Sequence, residues 1–212
     1  MPVITTFKYN LSLREKIKEN LAGFSPVPHP EDADLTAAAV AVTIFDHESE
    51  GAVIVTKRSP RLKDHTGQWA MPGGRVDEGE TPPQAALREL HEEVNLELGR
   101  EAILGRLDDY VTRSGYVITP IVVWAGIEET NLHPNPDEVA SIHAFSFTEL
   151  IREDSPRLES IPESDRQVLS MNYLDDRIYA PTAAMLYQFR EVAIHGRHTR
   201  VSHFDQPVFA WS

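Results

Sequence analysis

The sequence lacks cysteine, long apolar runs and an excess of basic residues. With no cysteine among 212 residues, disulfides, thiol nucleophiles and thiolate metal sites are excluded, and we expect a cytoplasmic protein. No run approaches the roughly 18 apolar residues that a bilayer-spanning helix needs, so we expect no membrane partner. The first residues also lack the basic-then-apolar layout of a secretion signal.

The charge is predominantly acidic, because 20 Lys and Arg residues stand against 33 Asp and Glu residues, giving a formal net charge of -13. Since phosphate backbones are held mainly by Lys and Arg, we expect no nucleic-acid partner. A small anionic nucleotide is still compatible with this charge, because a metal cluster and a few placed cations reverse the field locally. Without thiolates, a metal would be held by carboxylates, histidines and carbonyls, and carboxylates suit Mg²⁺ or Mn²⁺.

The hydropathy patterns predict an α/β protein. Helical periodicity indicates helices at 11–24, 82–94, 148–152 and 182–194. Strand-like runs occupy 36–45, 51–58, 106–113, 116–128 and 139–147, the first two forming a hairpin. We therefore expect a mixed sheet with helices on both sides.

The predicted organisation is one domain with additions at both ends. An N-terminal helix and loop (1–34) would precede a central domain (35–150). A C-terminal helical extension (151–212) would pack on the same domain, as added helical packing or as an element of a homodimer.

The helix predicted at 82–94 carries three glutamates on one side. Thr81 and Gln84 have the spacing of a capping box that starts it. Successive helical residues rotate by about 100°, so Glu89, Glu92 and Glu93 share a face and the leucines fall roughly opposite. Taken alone, such an acidic face is usually only solvated.

The surrounding residues favour a metal site. Residues 73–96, GGRVDEGETPPQAALRELHEEVNL, resemble the Nudix hydrolase signature G-x5-E-x7-R-E-U-x-E-E-x-G-U, where U is bulky and apolar. The matching residues are Gly74, Glu80, Arg88, Glu89, Leu90, Glu92, Glu93 and Leu96. Asn95 stands where the signature has glycine, and because Asn tolerates the left-handed region we expect it to end the helix.

The resemblance implies a Nudix-type α/β/α sandwich and hydrolysis of a nucleoside diphosphate linked to another moiety, with Mg²⁺ or Mn²⁺. Water must attack a phosphorus surrounded by negative oxygens, which bound cations neutralise. By the resemblance, Glu89, Glu92 and Glu93 are metal ligands, and Glu80 adds to the cluster directly or through water.

The resemblance also implies roles for residues around these ligands. Arg88 would orient a glutamate by a bidentate contact, and Gly73 and Gly74 would let the backbone approach the metal site. The general base has two candidates, Glu93 and Glu138. For Glu138, an ordinary charge on a surface loop is the favoured alternative.

A second motif, residues 54–74 (IVTKRSPRLKDHTGQWAMPGG), bears on the substrate. It resembles the additional signature of coenzyme A pyrophosphatases, L-L-T-x-R-[SA]-x3-R-x3-G-x3-F-P-G-G, and matches it at Thr56, Arg58, Ser59, Gly67, Pro72, Gly73 and Gly74. Lys63 replaces an arginine and loses its planar fork, whereas Met71 replaces a phenylalanine and loses the ring. The resemblance implies cleavage of coenzyme A (CoA) or its thioesters to 3′,5′-ADP and (acyl-)4′-phosphopantetheine.

Substrate contacts are expected from Arg58, Lys63, Met71, Gly73 and Gly74. Arg58 and Lys63 would bind the 3′-phosphate of CoA, although a solvated basic loop is the alternative. Another Nudix substrate, such as ADP-ribose or NADH, is a second interpretation. A non-catalytic Nudix-fold binding module is a third, but a pure binder would not need the intact charged set of the metal helix.

Overall fold

The computed structural model describes residues 7–30, 34–61, 67–126 and 131–211, and an eight-stranded sheet lies at its centre. The strands are β1 (Thr36–His47), β2 (Glu50–Arg58), β3 (Trp69–Ala70), β4 (Gly73–Arg75), β5 (Ile103–Arg106), β6 (Tyr110–Val111), β7 (Tyr116–Trp124) and β8 (Val139–Ser146). β1 and β2 form the predicted antiparallel hairpin, while β1 and β7 run parallel. The prediction of a mixed sheet is confirmed.

Helices cover both faces of this sheet. They are α1 (Leu11–Gly23), α2 (Pro82–Val94), α3 (Phe147–Leu150) and α4 (Thr182–Phe189), and a π-helical turn over Arg190–Ile194 continues α4. Successive side chains of β1 alternate between the two faces: Val42 and Ile44 pack in one core with α1 and α4, whereas Ala39 and Ala41 pack against α2. The resulting α/β/α sandwich confirms the predicted fold class.

The ends of α2 agree with the sequence analysis. At its start, the Thr81 N–H donates to the Gln84 side-chain oxygen at 2.9 Å, as in a capping box. At its end, Asn95 has φ 59° and ψ 33°, the left-handed conformation expected where the signature has glycine. Within the described ranges, no helix is long and apolar enough to cross a membrane.

Two predicted elements differ in the structure. The strand expected at 106–113 is interrupted between β5 and β6, where Asp108 and Asp109 accept hydrogen bonds from the backbone N–H groups of Val27 (2.7 Å) and His29 (2.8 Å) outside the sheet. The strand expected at 116–128 ends at Trp124, and residues 127 and 128 lie outside the described residues.

The extension at 151–212 is only partly helical, which differs from the helical extension predicted from the sequence. It contains a three-stranded antiparallel sheet of β9 (Arg157–Ile161), β10 (Ser164–Tyr173) and β11 (Asp176–Tyr179) before α4. β9 is almost wholly exposed, so it has no alternation of apolar residues that would mark it as a strand. Backbone pairing with β10 holds it in place.

Candidate active site

Three carboxylates converge at the C-terminal half of α2. Glu89 and Glu93 come from the helix and Glu138 from the loop before β8, and one oxygen of each lies within 4.8 Å of the other two. Glu89 and Glu93 are buried, with Glu93 only 4% exposed, and Glu138 is half-buried. Three oxygen donors of this kind suit a hard divalent cation.

The electrostatics of the cluster also fit a cation. Burial, followed by the charge of Glu89, raises the pKa of Glu93 to about 8, and the charge of Arg58 opposes this shift. Burial likewise raises the pKa of Glu89, against the hydrogen bond from Arg88. Three ionised carboxylates in so small a space therefore need added positive charge, which a divalent metal would supply. The residues present fit the Mg²⁺ or Mn²⁺ expected from the sequence.

The loop that carries Glu138 is attached to the end of α2. The His133 N–H donates to the Val94 carbonyl at 3.0 Å, and the Asn135 N–H donates to the Glu93 carbonyl at 2.9 Å. These are among the last carbonyls of the helix, which have no partner inside it. Capping them brings the loop, and Glu138 with it, beside the glutamates of α2.

Ser59 holds the other side of the same loop. Its backbone N–H donates to the Glu138 carbonyl at 2.8 Å, and its hydroxyl donates to the Pro136 carbonyl at 3.0 Å. Ser59 is one of the residues matched in the CoA pyrophosphatase signature, and in this structure it positions the backbone that presents Glu138.

Arg88 connects the glutamates that surround the cluster. Its guanidinium donates to Glu80 at 3.0 Å, to Glu89 at 2.8 Å and to Glu92 at 3.0 Å, and also to the Arg75 carbonyl at 3.0 Å. The two-point contact of Arg88 is with Glu80, through Nε at 3.0 Å and Nη2 at 3.1 Å, and its contact with Glu89 is single. That Arg88 orients a glutamate of the site stays a prediction. Glu80 and Glu92 contact Arg88 and are not part of the converging trio, and their role as metal ligands stays a prediction.

Gly73 and Gly74 lie against the site with no room for a side chain. A Cβ on Gly74 would lie 2.2 Å from Glu89 Oε1, and a Cβ on Gly73 would lie 2.4 Å from the Ala39 carbonyl oxygen. Gly74 therefore has to lack a side chain if Glu89 is to keep its position, and Gly73 has to lack one because β4 packs this closely against β1.

A cleft of about 730 Å³ adjoins the cluster on the side of Gly73 and Gly74. Four of the residues expected to contact substrate line it: Arg58, Met71, Gly73 and Gly74. Lys63, the fifth, lies outside the described residues. The three converging carboxylates do not line the cleft themselves but meet it through the two glycines, since Glu89 contacts Gly74 and Glu93 accepts a backbone hydrogen bond from Gly73.

The far wall of the cleft is formed by residues that no sequence motif indicated. The extension contributes residues from β11, α4 and the C-terminal segment, namely Arg177, Tyr179, Pro181, Met185, Gln206 and Phe209. They belong to neither motif, so no spacing pattern relates them to α2. Arg75, inside the Nudix signature but at an unspecified position, also lines the cleft.

The far wall is attached to the central sheet around Trp69. The Asp176 carboxylate accepts hydrogen bonds from Trp69 Nε1 at 2.9 Å and from Lys57 Nζ at 3.1 Å. The Thr182 hydroxyl donates to the Trp69 carbonyl at 3.1 Å. Both ends of the 176–182 segment are therefore fixed relative to β2 and β3. These contacts also fix the width of the cleft.

A buried carboxylate cluster beside a cleft, on an α/β/α sandwich, is typical of hydrolases that act on phosphoric anhydrides with divalent metal ions. The NUDIX domain model matches residues 35–169. The chain therefore belongs to the Nudix family and is a Nudix hydrolase, an enzyme acting on nucleoside diphosphate derivatives.

Individual relatives agree with this assignment. The chain is 29% identical over 196 residues to Nudix hydrolase 3 of Caenorhabditis elegans, covering 86% of this chain and 82% of that protein. It is 33% identical over 186 residues to the uncharacterised Nudix hydrolase NudL of Photorhabdus laumondii, covering 85% and 97%. A Nudix hydrolase structure from Nitrosomonas europaea shares the fold with a TM-score of 0.52 at 17% identity, over 79% of this chain and 76% of that one.

Proposed function

We propose that this Nudix hydrolase cleaves the diphosphate of CoA or its thioesters, producing 3′,5′-ADP and (acyl-)4′-phosphopantetheine, with Mg²⁺ or Mn²⁺ as cofactor. The observation that carries the proposal is the position of the CoA-type motif. Arg58 lines the cleft beside the carboxylates, and Ser59 fixes the loop that presents Glu138. The lack of cysteine supports a cytoplasmic enzyme.

Glu89, Glu93 and Glu138 would hold the metal, with Glu92 and Glu80 as the further ligands that the signature implies. A bound divalent cation neutralises the diphosphate and lowers the pKa of a water molecule. Arg88 keeps the Glu89 carboxylate in position. Glu93 and Glu138 are the two candidates for the general base, and their oxygens lie within 4.8 Å of each other.

Two arginines would divide the recognition of the anionic groups. The Nε of Arg58 is buried and has no hydrogen-bond partner among the described residues, and its charge acts on Glu93. This favours a contact between Arg58 and the diphosphate, in place of the 3′-phosphate contact expected from the sequence. Arg75 is exposed, donates to the Tyr116 hydroxyl at 3.0 Å and forms no ion pair within the part of the chain that the structure describes. We assign Arg75, together with Lys63, to the 3′-phosphate.

The test is a product assay. The purified enzyme with Mg²⁺ or Mn²⁺ is incubated separately with CoA, ADP-ribose and NADH, and the products are separated by chromatography. Release of 3′,5′-ADP from CoA, with little turnover of the other two, is the expected result. Turnover of ADP-ribose or NADH but not CoA would contradict the substrate assignment, and would show that Lys63 and Met71 mark a real departure from the CoA-type motif.

A further inference from the structure

The C-terminal segment presents an aromatic ring that neither motif uses. Phe209 is 55% exposed and lines the cleft. Its neighbour there is Tyr179 of β11, whose ring centroid lies 5.4 Å from that of Phe209 at an interplanar angle of 89°. In a perpendicular pair the edge of one ring meets the face of the other, so Tyr179 covers at most one face of Phe209. With the side chain 55% exposed, the remaining surface of Phe209 is available to a ligand.

The segment around Phe209 is held in place by several contacts. The Trp211 Nε1 donates to the Gln206 carbonyl at 2.9 Å, and the Arg113 backbone N–H donates to the Gln206 side-chain oxygen at 2.7 Å. The guanidinium of Arg113 also lies 4.9 Å from the centre of the Trp211 ring. Phe209 is thus presented by an ordered backbone, which lowers the entropic cost of using it to bind a ligand.

The surroundings of Phe209 in the cleft suit a flat heteroaromatic ring. Apolar side chains such as Met185 and Ile118 line the same cleft, and Ser114 and Gln206 add a hydroxyl and an amide. A purine base has a π-face for the ring of Phe209 and polar edges for such groups. A flexible pantetheine or acyl chain has no ring to stack and makes no use of a perpendicular aromatic pair.

We propose that the C-terminal extension builds the base subsite of this enzyme, with the nucleotide's adenine ring lying on Phe209. Tyr179 holds the Phe209 ring from the side and acts as a positioning residue. This subsite rests on the proposed function in one respect, that an adenine nucleotide binds in this cleft. Phe209 would then determine which nucleoside derivatives bind, while the carboxylates act on their common diphosphate.

Two ligands that differ only in the base isolate this contact. The wild-type enzyme and the variants Phe209→Ala, Phe209→Trp and Val208→Ala are titrated calorimetrically with 5′-AMP and with ribose 5-phosphate. Val208 is the control, because it is 46% exposed in the same turn but does not line the cleft. Base stacking contributes enough that Phe209→Ala should weaken 5′-AMP binding about tenfold or more. Ribose 5-phosphate binding should not change, and Phe209→Trp and Val208→Ala should retain the affinity for 5′-AMP.

Three results would overturn the proposal. The first is equal affinity of the wild-type enzyme for 5′-AMP and ribose 5-phosphate. The second is a Phe209→Ala variant that binds 5′-AMP as tightly as the wild type. The third is a Phe209→Ala variant that binds 4′-phosphopantetheine more weakly than the wild type but binds 5′-AMP equally well. That result would assign the ring to the other half of the substrate.

The probe does not depend on which substrate is cleaved, because CoA, ADP-ribose and NADH all contain an adenosine 5′-phosphate unit. Loss of 5′-AMP binding on Phe209→Ala in an enzyme that does not hydrolyse CoA would refute the proposed function alone. Hydrolysis of CoA with unchanged 5′-AMP binding in Phe209→Ala would refute the base subsite alone.

Discussion

Replacing Gly74 by alanine should disable the site without unfolding the protein. The new Cβ would lie 2.2 Å from Glu89 Oε1 and 2.6 Å from its Cδ. Since real Cβ atoms essentially never approach another heavy atom closer than 3.0 Å, the carboxylate must retreat by about 0.8 Å or more. That movement would also stretch the 2.8 Å contact between Glu89 and Arg88.

The expected size of the effect follows from the displacement. A misplacement of about 1 Å at a reacting centre costs roughly a hundredfold in rate, so kcat for the substrate identified in the product assay should fall by about that factor. The metal concentration needed for half-maximal activity should rise as well. The thermal midpoint should change little, because the clash is with the end of a side chain and not with backbone.

A matched control is available at Gly99. A Cβ there would lie 2.3 Å from Glu101 Oε1, a clash of the same kind with a glutamate outside the carboxylate cluster. Gly99→Ala should therefore keep both activity and metal dependence. Wild-type activity in Gly74→Ala, or an equal loss in Gly99→Ala, would refute the reasoning.

Three further predictions test other parts of the structure. Glu92→Gln and Glu93→Gln should each lower kcat by about a hundredfold or more with the melting temperature retained, and near wild-type kcat in either would remove that residue from the site. Arg58→Ala should reduce kcat/KM for CoA and dephospho-CoA alike, whereas Arg75→Ala should reduce it about tenfold more for CoA; the reverse pattern would exchange their assignments. Hydrogen bonds from the Arg113 guanidinium lower the pKa of the buried Asp205 to about 2. Its ionised form then stabilises the fold by about 2 kcal/mol above pH 4, and this contribution is lost as the pH falls toward 2. Urea unfolding of Asp205→Asn should accordingly differ from wild type at pH 7 and converge with it at low pH, and a constant difference would contradict the assignment.

Helix α2 was predictable because the residues that define it are close together in the sequence. Thr81, Gln84 and Asn95 specify where α2 begins and ends, and a single helix places Glu89 and Glu93 four residues apart on one face. Strand β1 was similarly predictable, since apolar residues occupy both of its faces. Such features depend on residues close in sequence, so pattern and spacing are sufficient.

The remainder of the site depends on contacts between distant segments. Glu138 reaches the cluster only because Asn135 caps α2 and Ser59 binds the loop from the other side, and a sequence pattern shows neither contact. This is why the sequence favoured an ordinary surface charge at Glu138. The aromatic residues of the far wall, Tyr179 and Phe209, lie about 85 and 115 residues beyond the end of α2 and have no motif of their own.

The attachment of the extension at Trp69 has a consequence for how the protein can be divided. A fragment limited to the matched residues 35–169 would keep every residue of the Nudix signature and the loop that carries Glu138. It would lose Asp176, the aromatic pair and the side chains of α4 that complete the core, such as Leu186 and Phe189. The cleft is thus divided between two stretches of the chain: Arg58, Met71 and Arg75 lie inside the matched residues, whereas Tyr179 and Phe209 lie beyond them. If the base subsite lies in the extension, exchanging the extension between relatives should change the preference for the base and leave the carboxylate cluster intact.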